Sequence, residues 1–123
     1  MQMRLELVPL PCTDVDRGKA FYTDQVGFVL DHDVEPGNGM RVVQLTPPGS
    51  ACSIVIGVGI SDPDAGRVLG LHLVVNDIDE ARDTLTAKGV QVAPVQDMGG
   101  VKYAHFSDPD GNSWQLQQIP NLG

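Results

Sequence analysis

Apolar residues along this chain follow two spacings. Short runs, alternating or continuous and bounded by Gly, Pro, Asn or Asp, read as strands. In the first half these are LELVPL (5–10), then 28–34, 40–46 and 51–57; in the second, GLHLVV (70–75), then 90–95, 101–106 and 113–119. Two longer stretches, 15–25 and 78–88, each follow an Asp and carry further acid in their first turn. They read as helices capped by Asp14 and Asp77, whose carboxylates accept from free N–H groups and favour the positive helix end. Gly27 and Gly89 stand near their ends, suited to a left-handed closing residue. EPGNG (35–39), TPPGS (46–50), QDMGG (96–100) and SDPDGN (107–112) supply turn chemistry.

The halves repeat. TDVDRGKAFYTDQVGF (13–28) resembles NDIDEARDTLTAKGV (76–90) at an offset of 63, with one extra residue before the glycine of the first copy. LTPPGSACSIVIG (45–57) lies against FSDPDGNSWQLQQI (106–119), with one extra residue in the second. The plan is βαβββ, used twice: an α+β single domain with one module at 1–58, one at 70–120 and a linker at 59–69. One helix covers only one face of a four-stranded sheet. Two such modules can pair their curved sheets, with helices outside and a cleft within.

Composition narrows the function. With 123 residues, 41% hydrophobic and 20% charged, the chain is an ordinary one-domain length. It has no apolar run near the roughly 18 residues of a membrane helix and no signal-peptide pattern, so a cytoplasmic protein without a membrane partner is expected. The net charge of −8 and the lack of a basic stripe argue against nucleic acid and weakly favour a cationic ligand. Cys12 and Cys52 read as reduced thiols, not as a disulfide scaffold or metal pair. No Gly-x-Ser-x-Gly, P-loop or dinucleotide fingerprint is present.

The segments TDVDRGKAFYTDQVGF, HLVVNDIDEARDTLTAKGV and FSDPDGNSWQLQQ, in that order, resemble the vicinal oxygen chelate superfamily of glyoxalase I, bleomycin-resistance proteins and extradiol dioxygenases. The resemblance implies paired βαβββ modules, commonly a homodimer, and no single reaction. In metal-using relatives four ligands line the cleft, one from the first and one from the last strand of each half, typically His or Gln and then Glu. Counting from the helix starts and the turns carries these positions onto Leu7, Ser53, Gly70 and Gln115. Leucine and glycine side chains cannot ligate, serine is a poor neutral ligand, and a divalent ion needs several hard oxygens or imidazoles with an anion among them. No metal and no other cofactor is expected.

His72 shares the parity of position 70, and a slip of two residues in the count would bring it to the ligand site. Two readings stand for His72: a hydrogen-bonded wall residue, or a cleft base and ligand partner. Gln115, and Gln117 on the same face, read as amides for a polar ligand or as wall groups met by water. His105 and Tyr103 share one parity, either lining the cleft or facing solvent; His32 reads as surface. Asp108 and Asp110 read as a turn, with Asp, Pro and Gly where a type I turn prefers them. Trp114 and Leu116 alternate with Gln115 and read as core. Leu5, Leu7, Pro9 and Val74 give the cleft apolar walls. The expected function is therefore metal-free binding of a small organic molecule, a drug or metabolite. The alternative is a glyoxalase-I-like lyase or isomerase with a divergent divalent-metal site built on His72 and Gln115.

Overall fold

A computed structural model describes residues 1–62 and 64–120, so Pro63 of the expected linker lies outside the described residues. The chain divides within that linker into two compact units, Met1–Arg67 and the part from Val68 onward. In the first unit the elements are β1 (Leu7–Pro9), α1 (Val15–Ala20), a π-helical turn (Phe21–Val26), β2 (Val29–Gly37), β3 (Met40–Thr46) and β4 (Ser53–Val58). In the second they are β5 (Leu71–Val74), α2 (Ile78–Ala87), β6 (Gln96–Met98), β7 (Val101–Ser107) and β8 (Ser113–Gln118). The sheets have matching orders, β1-β4-β3-β2 and β5-β8-β7-β6. In each, the first strand pairs parallel to the last and the remaining pairs are antiparallel. No helix among the described residues is long and apolar enough to cross a membrane.

Both helices start as the sequence predicts. Asp14 accepts from the Arg17 amide and Asp77 from the Glu80 amide, each satisfying a donor with no partner inside the helix. Both close on a left-handed glycine, Gly27 at φ +89° and Gly89 at φ +88°, a conformation nearly free of cost only without a Cβ. The extra residue of the first copy is absorbed between these fixed ends. The α-turns loosen after Ala20, and the Gly27 amide reaches the Tyr22 carbonyl five residues back, as in a π-turn.

The helix-facing sides of the sheets hold the core. Val43, Leu45, Ile54 and Ile56 lie at 4% exposure or less in the first unit, and Ala104, Phe106, Trp114 and Leu116 at 3% or less in the second. The rings of Phe106 and Trp114 stack 6.2 Å apart. In the first unit an ion-pair cluster ties α1 to β2 and β3. Asp33 bridges Lys19 and Arg41, each at 2.8 Å, and Arg41 also reaches Asp16 at 2.8 Å. Hydrogen bonds from Arg41 and then Lys19 hold the Asp33 carboxyl well below the usual carboxylate range. Asp33, then Asp16, in turn raises the Arg41 guanidinium.

Two strands differ from their predictions: β2 runs on to Gly37, into the stretch read as a turn, and the second strand of the second unit shifts. The strand expected at 90–95 is irregular, and β6 forms instead at Gln96–Met98, inside the stretch read as a break. Pro94 has no N–H for a ladder. The Ala93 amide bonds the His105 carbonyl at 2.8 Å, while the Arg82 guanidinium takes the Val92 and Ala93 carbonyls at 3.1 and 2.9 Å. A side chain thus does there what a partner strand would do.

Candidate functional site

Strand side chains alternate between faces, so the packing of Trp114 and Leu116 against α2 fixes what the other face of the second sheet carries. Gln115 and Gln117 project there. Register places His72 beside Gln115 and Val74 beside Gln117 on β5, and His105 beside Gln115 and Tyr103 beside Gln117 on β7. Five of the positions nominated from sequence therefore meet on one face: His72, Val74, His105, Gln115 and Gln117. Tyr103 joins them, sharing the parity of His105. His72, Val74 and His105 are exposed; Tyr103 and both glutamines are half-buried.

The offset of 63 gives a different partner from the register. It puts Gly70 at the first-strand site, whereas the residue beside Gln115 is His72. The link from first strand to helix cap is two residues shorter in the second unit, so a count back from Asp77 overshoots. Gly70 precedes β5 with φ +83°, and its contribution is through its backbone. Its amide donates to Ser113 Oγ at 2.9 Å and its carbonyl accepts from His72 Nδ1 at 2.7 Å. A carbonyl only accepts, so Nδ1 bears the proton. In the neutral ring Nε2 then holds a lone pair. The His72 ring stands edge-on to Tyr103, centroids 6.0 Å apart. His105 Nε2 lies 3.3 Å from Ser107 Oγ. Among the described residues the side chains of Gln115, Gln117 and Tyr103 make no hydrogen bond.

The corresponding face of the first unit is organised differently. Leu7 lies beside Ser53, as the count required, and Ser53 is 5% exposed. Ser53 Oγ lies 2.7 Å from Thr46 Oγ1 and accepts from Gln44 Nε2 at 3.2 Å. Thr46 in turn donates to Asp31, and Gln44 Oε1 faces His32 Nε2 at 3.2 Å. Donor order follows from Asp31. Its carboxylate takes the Thr46 proton, so Ser53 must donate to Thr46, and His32 must donate to Gln44. Gln44, Thr46 and Asp31 were not foreseen. The repeat carried the signal, because Gln44 and Thr46 alternate along β3 as Tyr103 and His105 do along β7. Leu5 lies outside β1 and is exposed.

These donors can be compared with what a divalent ion requires. Leu7 offers nothing, and the Ser53 hydroxyl proton is committed to Thr46. His72 Nε2 and the Gln115 amide oxygen are two neutral groups without an anion. Among the described residues no three His, Cys, Asp or Glu side chains gather around a point. The donor set does not fit the metal of metal-using relatives.

The turn at 107–112 is structural, as the sequence suggests. Asp108 Oδ1 accepts from the Asp110 and Asn112 amides, each at 2.9 Å, and Oδ2 accepts from Asn112 Nδ2 at 2.8 Å. Buried Asn112 then accepts the Val68 amide at 2.9 Å, holding the chain entering β5 beside β8.

The sequence profile of the Glyoxalase/Bleomycin resistance protein/Dioxygenase superfamily matches residues 4–116. This chain belongs to that superfamily. Among glyoxalase-superfamily structures, TnmS3, an antibiotic binding protein from Streptomyces sp. CB03234, is 33% identical with a TM-score of 0.85, covering 97% of this chain and 98% of that one. A glyoxalase/bleomycin resistance protein from the same Streptomyces is 34% identical with a TM-score of 0.79, covering 94% and 100%. YwkD, an uncharacterized protein of Bacillus subtilis (strain 168), is 26% identical over 113 residues, which span 84% of this chain and 87% of YwkD.

Proposed function

We propose that this glyoxalase-superfamily protein binds a small organic molecule, a drug or metabolite, without a metal ion, on the face of the second sheet turned away from α2. The observation that carries the reading is the pair of amides, Gln115 and Gln117, which have no side-chain hydrogen bond among the described residues and lie beside the His72 Nε2 lone pair and the Tyr103 ring. Each amide both donates and accepts, and the rings of His72 and Tyr103 and the Val74 side chain supply apolar surface. The resemblance to an antibiotic binding protein at 33% identity supports an antibiotic-like ligand. The same proposal takes the protein to be a cytoplasmic homodimer, which sedimentation of the purified protein checks. A thermal-shift screen of antibiotics and metabolites in EDTA, followed by calorimetry on the hits, tests the binding claim. The expected result is one ligand per chain, with affinity lowered in Gln115→Ala. Hits whose affinity ignores Gln115, Gln117 and His72 alike would contradict it.

A second reading, a glyoxalase-I-like lyase or isomerase with a divergent metal site, is favoured by one observation: register sets His72 directly beside Gln115. Elemental analysis of protein purified without chelator and supplied with nickel, zinc or iron separates the two. One tightly held ion per chain would favour the lyase.

A further inference from the structure

Beside β7 the second unit has a groove of about 780 Å³ whose lining shares only His105 with the proposed ligand face. Its apolar lining includes Val90, Val92 and Phe106, all at 7% exposure or less. His105, Ser107 and Thr86 add polar groups. The volume falls within the range of small-molecule sites, roughly 300–1,000 Å³.

Ladder geometry shows what the groove offers. In an antiparallel strand the N–H and C=O of one residue point to the same side, and successive residues alternate. Asp108 donates to the Asn112 carbonyl, so even-numbered residues of β7 and the turn after it face β8. The His105 carbonyl accepts from Ala93 on the opposite edge, so odd-numbered residues face away. Along that edge Tyr103 is paired with Gln96, and the His105 carbonyl is taken. Ser107 comes next. Its N–H and C=O point into the groove and have no partner among the described residues. Beyond it the chain turns back at Asp108.

We infer that this groove is a second binding site, taking a single extended aminoacyl amide unit of a peptide-like small molecule across the Ser107 N–H and C=O. One residue's pair of groups is too short a ladder for a strand of a second protein copy. It matches one acylated, amidated amino acid, whose own N–H and C=O return both hydrogen bonds. Ala93 and Pro109, the apolar lining residues that keep exposed surface, would receive an apolar side chain.

Titrating 15N-labelled protein with N-acetyl-L-leucine N′-methylamide, followed by amide NMR, tests this. Saturable shifts are expected at Ser107, Val92 and Ala93. The fully N-methylated analogue, which has no N–H, should bind about fivefold more weakly, as should the Ser107→Pro variant, which removes the donor at an edge position where proline is tolerated. Ser107→Ala, which removes only the hydroxyl, should bind within about twofold of the parent. Equal binding of the two probes, shifts confined to the Gln115 and Gln117 face, or no saturable shift at all would overturn the inference. So would groove shifts that depend on protein concentration without probe, since a second copy would then occupy the edge. If Ser107→Pro does not fold, the two probes still decide.

Discussion

The two units share strand order, register type and helix caps, yet they use the face away from the helix in opposite ways. In the first unit, hydrogen bonds run from His32 through Gln44, Ser53 and Thr46 to Asp31, so each polar side chain there is already matched. In the second, the Gly70 carbonyl just before β5 fixes His72, and Gln115 and Gln117 have no side-chain hydrogen bond among the described residues. A half-buried amide without a protein partner forgoes part of the stabilisation a matched one has. Retaining two side by side makes sense if a ligand supplies the missing bonds. One scaffold, used twice, has one copy whose polar groups hold each other and one whose glutamine amides have no such partners among the described residues.

Substitutions can break or sharpen this contrast. The largest effect is expected between neighbours on β8. Trp114→Ala, on the helix side, should cost about 3–5 kcal/mol in urea unfolding. Gln115→Ala, one residue along, should stay within about 0.5 kcal/mol. Similar losses at both would mean that Gln115 is a structural group. At the next level, Ser53→Ala should cost about 1–3 kcal/mol because Gln44 and Thr46 lose their shared partner. The matching position in the second unit is Gln115, and equal costs at the two would erase the distinction. For ligand affinity the order reverses: Gln115→Ala should weaken a calorimetric hit about fivefold, and Ser53→Ala should leave it within about twofold.

The smallest effect concerns acid. The Asp33 carboxyl is lowered from its ordinary 3.8 in the folded state. Its stabilising contribution is therefore complete above that value and fades as pH falls toward the lower folded-state value. Urea midpoints of the parent and Asp33→Asn should differ at pH 7 and converge in strong acid. The gap should be small, because the cluster is partly solvated. A gap that widens on acidification would contradict the assignment.

Much of this contrast was legible in the residues. The Asp caps, the left-handed glycines and the alternation of Trp114, Gln115 and Leu116 follow from local chemistry that no tertiary contact overrides. The extra residue before Gly27 was visible too, although only the structure reveals that a π-turn absorbs it. Three things were hidden. Pro94 and the Arg82 guanidinium displace the edge strand, a side-chain substitution for a ladder that periodicity does not register. The pairing of His72 with Gln115 depends on a strand-to-helix link two residues shorter than its counterpart, which an offset measured on the helices misses. The first unit's network escaped notice for a different reason: Asp31, Gln44 and Thr46 lie on two strands, and only register unites them.

The account's central claim is that ligand recognition belongs to the uncommitted amides of the second unit and needs no metal. Side-chain NH2 resonances of Gln115, Gln117 and Gln44, followed by 15N NMR in EDTA while a screening hit is titrated, test it most directly. The account predicts saturable shifts at Gln115 and Gln117 with Gln44 unmoved. Shifts at Gln44 alone, or binding that vanishes in EDTA and returns with a divalent ion, would contradict it.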